Sequence, residues 1–111
     1  MNDEVLNERL ARIYSEQLKI NKEFDELDSL ETIEQRNTQL SKIALALSRL
    51  ALRISLLEKD AKGKTNLYPQ IKLLRKSTNR IAKRAKKALK KALKKATKLE
   101  QTFIKREYKN D

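Results

Sequence analysis

Apolar residues recur at alternating spacings of four and three along the first quarter of the chain, which is typical of a helix that packs along one side. This stripe predicts an amphipathic helix over about residues 3–28. Its members are Leu6, Leu10, Ile13, Gln17, Ile20, Phe24 and Leu27. Gln17 is the polar member; between a polar contact that fixes helix register and a partly exposed glutamine, the pattern favours the second interpretation.

Two capping-box patterns, Asp28 with Glu31 and Thr32 with Gln35, predict that a second helix starts between residues 28 and 33. No Gly or Pro marks this break, so a single continuous helix is the alternative. The second helix carries two apolar stripes, which predict two packing partners. The first stripe is Leu40, Ile43, Leu47, Leu50, Ile54 and Leu57, and the second is Leu45, Leu52 and Leu56.

The connection to a third helix is marked by the only Gly and the only Pro of the chain, Gly63 and Pro69. Thr65 or Asn66 can cap that helix, with Pro69 tolerated in its first turn. Nothing strongly breaks the helical pattern from about residue 67 to 107, although the Ser-Thr-Asn sequence at 77–79 allows a bend. A continuous helix here would be about 60 Å long.

These elements predict an all-α fold: a helical hairpin that serves as a scaffold over residues 1–60, a linker over 61–69, and a long basic amphipathic helix over 70–111. Because the third helix outreaches the other two, we expect a homodimer or higher homo-oligomer in the form of a dimeric helical bundle. The residues expected to mediate self-association are Leu6, Leu10, Ile13, Ile20, Phe24, Leu27, Leu40, Ile43, Leu47, Leu50, Ile54 and Leu57.

Charge is distributed unevenly along the 111 residues, whose formal net charge is +12. Residues 1–60 hold 9 basic and 12 acidic side chains, whereas residues 61–111 hold 18 basic and 3 acidic ones. Between Ala61 and Leu99 there are fifteen Lys or Arg and no acid. Residues 61–111 therefore carry the excess of positive charge, and the positive electrostatic potential is concentrated there.

Within that region, residues 83–100 read KRAKKALKKALKKATKLE. At about 100° per residue, the alanines and larger apolar residues fall on one arc and the basic residues on the other. Like charges three and four residues apart repel, so the basic arc predicts an anionic counterpart. The candidate nucleic-acid-binding residues are Arg80, Lys83, Arg84, Lys86, Lys87, Lys90, Lys91, Lys94, Lys95 and Lys98.

Duplex DNA presents one phosphate charge per about 1.7 Å of axis, a density comparable with nine basic groups over about 24 Å of helix from Lys83 to Lys98. Lysine predominates, and lysine is a flexible point charge, whereas bidentate base reading is mainly a task for arginine. No aromatic residue lies between Tyr68 and Phe103 to stack on bases. The sequence therefore predicts binding to nucleic acid, DNA favoured over RNA, without sequence specificity, in DNA packaging or as an accessory to replication or transfer.

Three alternatives remain open. The basic helix could bind an acidic protein partner in a structural or adaptor role, or lie on an anionic membrane surface as in an immunity-type helical bundle. It could also pair with an acidic cluster of the same or a partner chain. That cluster comprises Glu23, Asp25, Glu26, Asp28, Glu31 and Glu34.

The chain contains neither Cys nor His, which excludes Ser-His and Cys-His catalysis and the commonest zinc ligands. We expect no enzymatic activity, no metal and no cofactor. The polar, acidic start MNDEVLNERL does not resemble a secretory signal, and the apolar run at 43–57 is too short for a membrane span and includes Arg49 and Arg53. The expected location is the cytoplasm, the nucleoid or a virion.

Overall fold

Three helices in the order predicted make up the computed structural model, which describes residues 2–63 and 66–109, with only the backbone of Ala96, Tyr108 and Lys109. Helix α1 spans Asp3–Asp25, α2 spans Ile33–Asp60 and α3 spans Tyr68–Lys109. The described residues form no strand. The all-α prediction, with a helical hairpin followed by a long third helix, is confirmed.

Asn2 caps the start of helix α1. Its side-chain Oδ1 accepts a hydrogen bond from the otherwise free Val5 amide at 2.9 Å. The predicted end of α1 at residue 28 was three residues too far, because the α-helix ends at Asp25 and tightens into a 3₁₀ helix over Glu26–Ser29. The Ser29 hydroxyl donates to the Glu26 carbonyl at 2.7 Å within that turn. Leu27 stays buried there, so the apolar stripe outlasts the α-helix.

Helix α2 begins with a capping box formed by Thr32 and Gln35, one of the two predicted pairs. The Thr32 hydroxyl accepts from the Gln35 amide at 3.1 Å, and the Gln35 side-chain oxygen accepts from the Thr32 amide at 3.4 Å. Asp28, the alternative cap, lies inside the 3₁₀ helix. The chain therefore breaks between α1 and α2, and a single continuous helix is excluded.

Helices α1 and α2 run antiparallel, since Arg9 near the start of α1 pairs with Asp60 at the end of α2 at 2.7 Å. The connection from α2 to α3 contains Gly63 in a left-handed conformation with φ of 91°, which a residue without Cβ adopts readily. Thr65, a predicted cap, lies outside the described residues. Pro69 is the second residue of α3, where its missing amide hydrogen costs no helical hydrogen bond.

Helix α3 runs through residues 77–79 without interruption and antiparallel to α2. The Tyr68 hydroxyl donates to Glu58 at 3.3 Å, and farther along α3 Arg75 donates to Ser55 at 3.3 Å. The core is closed by Leu67, just before α3, and by Ile71, Leu74 and Ala85 in the first half of α3. The second apolar stripe of α2 is not covered, since Leu45, Leu52 and Leu56 are all exposed.

The twelve residues assigned to self-association are buried inside a single chain, where they join the three helices into one core. Contact between copies through these side chains would require the bundle to open, and it stays a prediction. Gln17 is also buried, at 6% exposure, so its interpretation as a partly exposed glutamine was wrong. Its side-chain nitrogen donates to the hydroxyl groups of Ser77 and Thr78 on α3.

The molecule is elongated because α3 is much longer than the hairpin that it packs against. Its radius of gyration is 19.4 Å, against about 13 Å for a globular domain of similar length. Its longest dimension is 71 Å, and the 42 residues of α3 alone span about 63 Å. Among the described residues, no helix combines the length and apolar character needed to cross a bilayer.

Candidate nucleic-acid interface

The ten basic residues predicted to bind nucleic acid all lie on α3, and the structure leaves all ten side chains exposed. They are Arg80, Lys83, Arg84, Lys86, Lys87, Lys90, Lys91, Lys94, Lys95 and Lys98. Because α3 is unbroken over this stretch, its 3.6-residue period places them on one broad arc facing away from the core. We call this surface the lysine face.

The lysines of this face have no ionic partners within the described part of the chain. None of the eight lysines from Lys83 to Lys98 lies within 4 Å of an acidic oxygen there. Pairing between these lysines and the acidic cluster of the same chain, one of the alternatives above, is therefore not seen among the described residues. The mutual repulsion of the lysines remains unrelieved by the fold.

The arginines of α3 behave differently, because two of the four, Arg75 and Arg84, contact side chains of the hairpin. The Arg84 guanidinium carbon lies 4.4 Å from the centre of the Phe24 ring, and its nitrogen lies 4.0 Å from the Asp25 carboxylate. Arg75 forms an ion pair with Glu58. Both contacts attach α3 to the hairpin, so these two guanidinium groups help to fix the helix that presents the lysines.

The face is longer than the repeat in the sequence indicated. Lys76 and Lys105 are exposed and fall on the same arc, one before and one after the predicted residues. Between them the face extends about 44 Å along the helix axis. The 3.6-residue period of α3 places both lysines on this face, but both lie outside the four-residue repeat, so neither was among the predicted residues.

The lysine face carries no exposed aromatic platform in the part of α3 that the structure describes. Tyr68, at the first residue of the helix, lies under the Lys72 ammonium, whose nitrogen is 5.0 Å from the ring centre. Phe103 projects from the apolar arc on the opposite side. Side chains suited to stacking against unpaired bases are thus absent from residues 76–98.

Other kinds of site find little support in the geometry. Across residues 2–63 and 66–109, no three acidic side chains converge in a way that could hold a metal ion. Comparison of the chain with protein-family models, with curated proteins and with solved structures found no match. The lysine face is therefore the candidate site of this protein.

Proposed function

We propose that this protein binds the phosphate backbone of nucleic acid, duplex DNA in preference to RNA, through the lysine face of α3 and without reading base sequence. The observation that carries the proposal is that eight exposed lysines on one unbroken helix have no acidic partner among the described residues. Neutralising such a surface with phosphates releases the counterions condensed on the nucleic acid, which is the main source of sequence-independent affinity.

The side chains on the face support backbone contact rather than base reading. Lysine ends in a mobile ammonium that suits any phosphate oxygen, whereas bidentate recognition of guanine uses the rigid fork of arginine. Of the predicted residues only Arg80 and Arg84 carry guanidinium groups, and Arg84 contacts Phe24 and Asp25. Binding of this type suits DNA packaging or an accessory role in replication or transfer, in the cytoplasm, the nucleoid or a virion.

A second candidate, binding to an anionic membrane surface, is favoured by one feature. Beyond the hairpin, α3 exposes large apolar side chains on the side opposite its lysines. This is the arrangement of a helix that lies in the lipid headgroup region. Its apolar arc is nevertheless dominated by alanine between Ala82 and Ala92, where little area is available to insert.

Titration of a fluorescent random-sequence duplex at several salt concentrations tests the nucleic-acid proposal. If five to seven lysines meet phosphates, the logarithm of the association constant should fall against the logarithm of salt concentration with a slope of about −4.5 to −6. A slope near zero, or no binding at about 50 mM salt, would contradict the phosphate model. Sedimentation with anionic vesicles in the absence of duplex identifies the lipid alternative.

Substitution of lysines then locates the surface. Replacing Lys87, Lys90, Lys94 and Lys98 with Gln should weaken duplex binding and reduce the slope by up to about 3.6. The matched control removes the same charge outside α3, at four exposed lysines: Lys19, Lys22, Lys42 and Lys62. Equal losses in both variants would mean that net charge, not the lysine face, determines affinity. Loss of the helical fold in the first variant alone would favour a structural role.

A further inference from the structure

Helix α3 continues well past the end of the hairpin. Every described side chain from 93 to 107 is exposed, and the exposed set includes four large apolar residues. They are Leu93 at 69% exposure, Leu99 at 49%, Phe103 at 64% and Ile104 at 44%. We call residues 93–109 the overhang; it spans about 25 Å of helix.

The apolar side of the overhang continues the side of α3 that packs into the core. Ala85 is buried and Ala92 is partly buried against the hairpin, and further steps of seven and four residues lead to Leu99 and Phe103. These spacings keep all four residues on one face of the helix. The same stripe is therefore covered by the hairpin in its first half and left uncovered in its second.

The end of the hairpin nearest the overhang is strongly acidic. Residues 23–34 contain six acidic side chains and no basic one, whereas residues 93–106 contain five basic side chains and one acidic one. Of the six acids only Asp25 has an ionic partner within the described residues, Arg84 at 4.0 Å. Lys95, at the start of the overhang, lines a groove together with Asp28 of its own chain. Helix α3 then continues past this turn, so the basic residues nearer its C-terminal end can meet an acidic turn only in a second chain.

The same end of the bundle has a groove that can accept an apolar side chain. Its volume is about 260 Å³, and Ile33, one of its walls, is 48% exposed. A cavity of about 150 Å³ is enough to admit benzene. Half of the residues that line the groove are apolar and half are polar or charged. The apolar ones are Leu27, Ile33, Leu40, Ala88 and Ala92, and the others are Asp28, Arg36, Asn37, Lys91 and Lys95.

We propose that two copies of this chain associate through their overhangs, side by side and antiparallel, about a twofold axis. Each apolar stripe is then covered by its own hairpin up to Ala92 and by the partner's helix beyond it. Phe103 of each chain reaches the groove beside the partner's Ile33. Arg106, which lies about 60° from Phe103 around the helix, approaches the partner's acidic turn. A parallel pair is excluded because both hairpins would occupy the same space.

This proposal does not depend on nucleic-acid binding, and sedimentation equilibrium without nucleic acid tests it. The contact involves far fewer than the 20 or more residues per side of a standard interface, so we expect micromolar dissociation. Phe103→Glu should weaken the dimer at least about tenfold. Leu52→Glu is the matched control, because Leu52 is equally exposed at 62% but lies on the outer face of α2.

Two results would overturn the proposal: a chain that stays monomeric at about 500 μM, or a dimer that Leu52→Glu dissociates and Phe103→Glu does not. Circular dichroism of both variants shows whether the bundle remains folded. If wild-type protein is monomeric and Phe103→Glu abolishes its binding to anionic vesicles, the overhang contacts lipid and the dimer is likewise rejected.

Charge reversal tests the placement of the tip against the acidic turn. Arg106→Glu should weaken the dimer, and adding Asp28→Lys and Glu31→Lys to the same chain should restore it at least partly. All three substitutions lie outside the buried core. A dimer unaffected by Arg106→Glu would reject this antiparallel arrangement.

Discussion

One buried amide joins α1 to α3. The Gln17 side-chain nitrogen donates to the Ser77 hydroxyl oxygen at 2.7 Å and to the Thr78 hydroxyl oxygen at 3.0 Å, and it lies 3.5 Å from the Leu74 carbonyl. Ser77 in turn donates to backbone carbonyls of its own helix, such as that of Leu74 at 3.0 Å. The amide reaches these acceptors at only one relative position of α1 and α3 along their axes. The network therefore fixes the register between the two helices.

Removing this amide should destabilise the protein. We expect Gln17→Leu to lower the free energy of unfolding by about 1–3 kcal/mol, because the buried Thr78 hydroxyl and the partly buried Ser77 hydroxyl lose their donor. Adding Thr78→Val should recover part of the loss, since replacing both partners with apolar groups is far less costly than removing one. Urea denaturation followed by circular dichroism measures both values. An unchanged midpoint for Gln17→Leu would show that the network contributes nothing to stability.

The burial of the stripe containing Gln17 followed from its spacing, but the hydrogen bonds of Gln17 did not. Its acceptors lie 60 and 61 residues farther along the chain, at positions that the sequence marked only as mediocre helix formers. Spacing shows which side of a helix is buried and leaves open which helix covers it. A polar residue on a stripe can therefore be interpreted only once its partner is placed.

At the scale of elements, the boundary between α1 and α2 depends on local chemistry. A 3₁₀ turn and a capping box reverse the chain within the residues from Glu26 to Ile33, without help from Gly or Pro. The Arg36 side chain adds a hydrogen bond to the Leu30 carbonyl at 3.1 Å. Side chains that satisfy free backbone groups thus replace the flexible residues usually found at a sharp reversal.

The capping box at the start of α2 should contribute measurably to the stability of the protein. Thr32→Ala should lower the free energy of unfolding by about 1 kcal/mol, because the Gln35 amide loses its acceptor. Thr38→Ala, the same substitution at an exposed position inside α2, should be neutral or slightly stabilising, since alanine is the better helix former. Thermal unfolding of the two variants compares them directly. Equal effects would mean that propensity alone, and not the cap, determines the result.

The start of α2 was predicted because a capping pattern marks it in the sequence. The end of α1 was missed because only the backbone geometry changes there. Thr32 and Gln35 form a pattern visible in the sequence, and α2 begins next to it. The change from α to 3₁₀ geometry after Asp25 has no comparable signal, because Leu27 continues the apolar stripe across it. The lysine face followed from the period of α3, whereas Lys76 and Lys105 lay beyond the repeat that drew attention to it.

For the whole molecule, the decisive quantity is the difference in length between α3 and the hairpin. The sequence predicted that α3 would be incompletely covered, and the structure places the uncovered part next to an acidic turn and an apolar groove. The acidic cluster was visible in the sequence, but the groove was not, because it is formed by side chains from α2, α3 and the 3₁₀ turn together. An antiparallel dimer would turn the two lysine faces in opposite directions.

That orientation predicts bridging of two duplexes by one dimer. Beads carrying one duplex should retain a second, fluorescent duplex when wild-type protein is present above its dimer dissociation constant. Phe103→Glu should bind a single duplex with little change in affinity per chain, because Phe103 lies off the lysine face, yet fail to retain the second one. Leu52→Glu, which changes the charge equally, should bridge as wild type does. If Phe103→Glu retains the second duplex as well as wild type does, bridging does not require the overhang dimer.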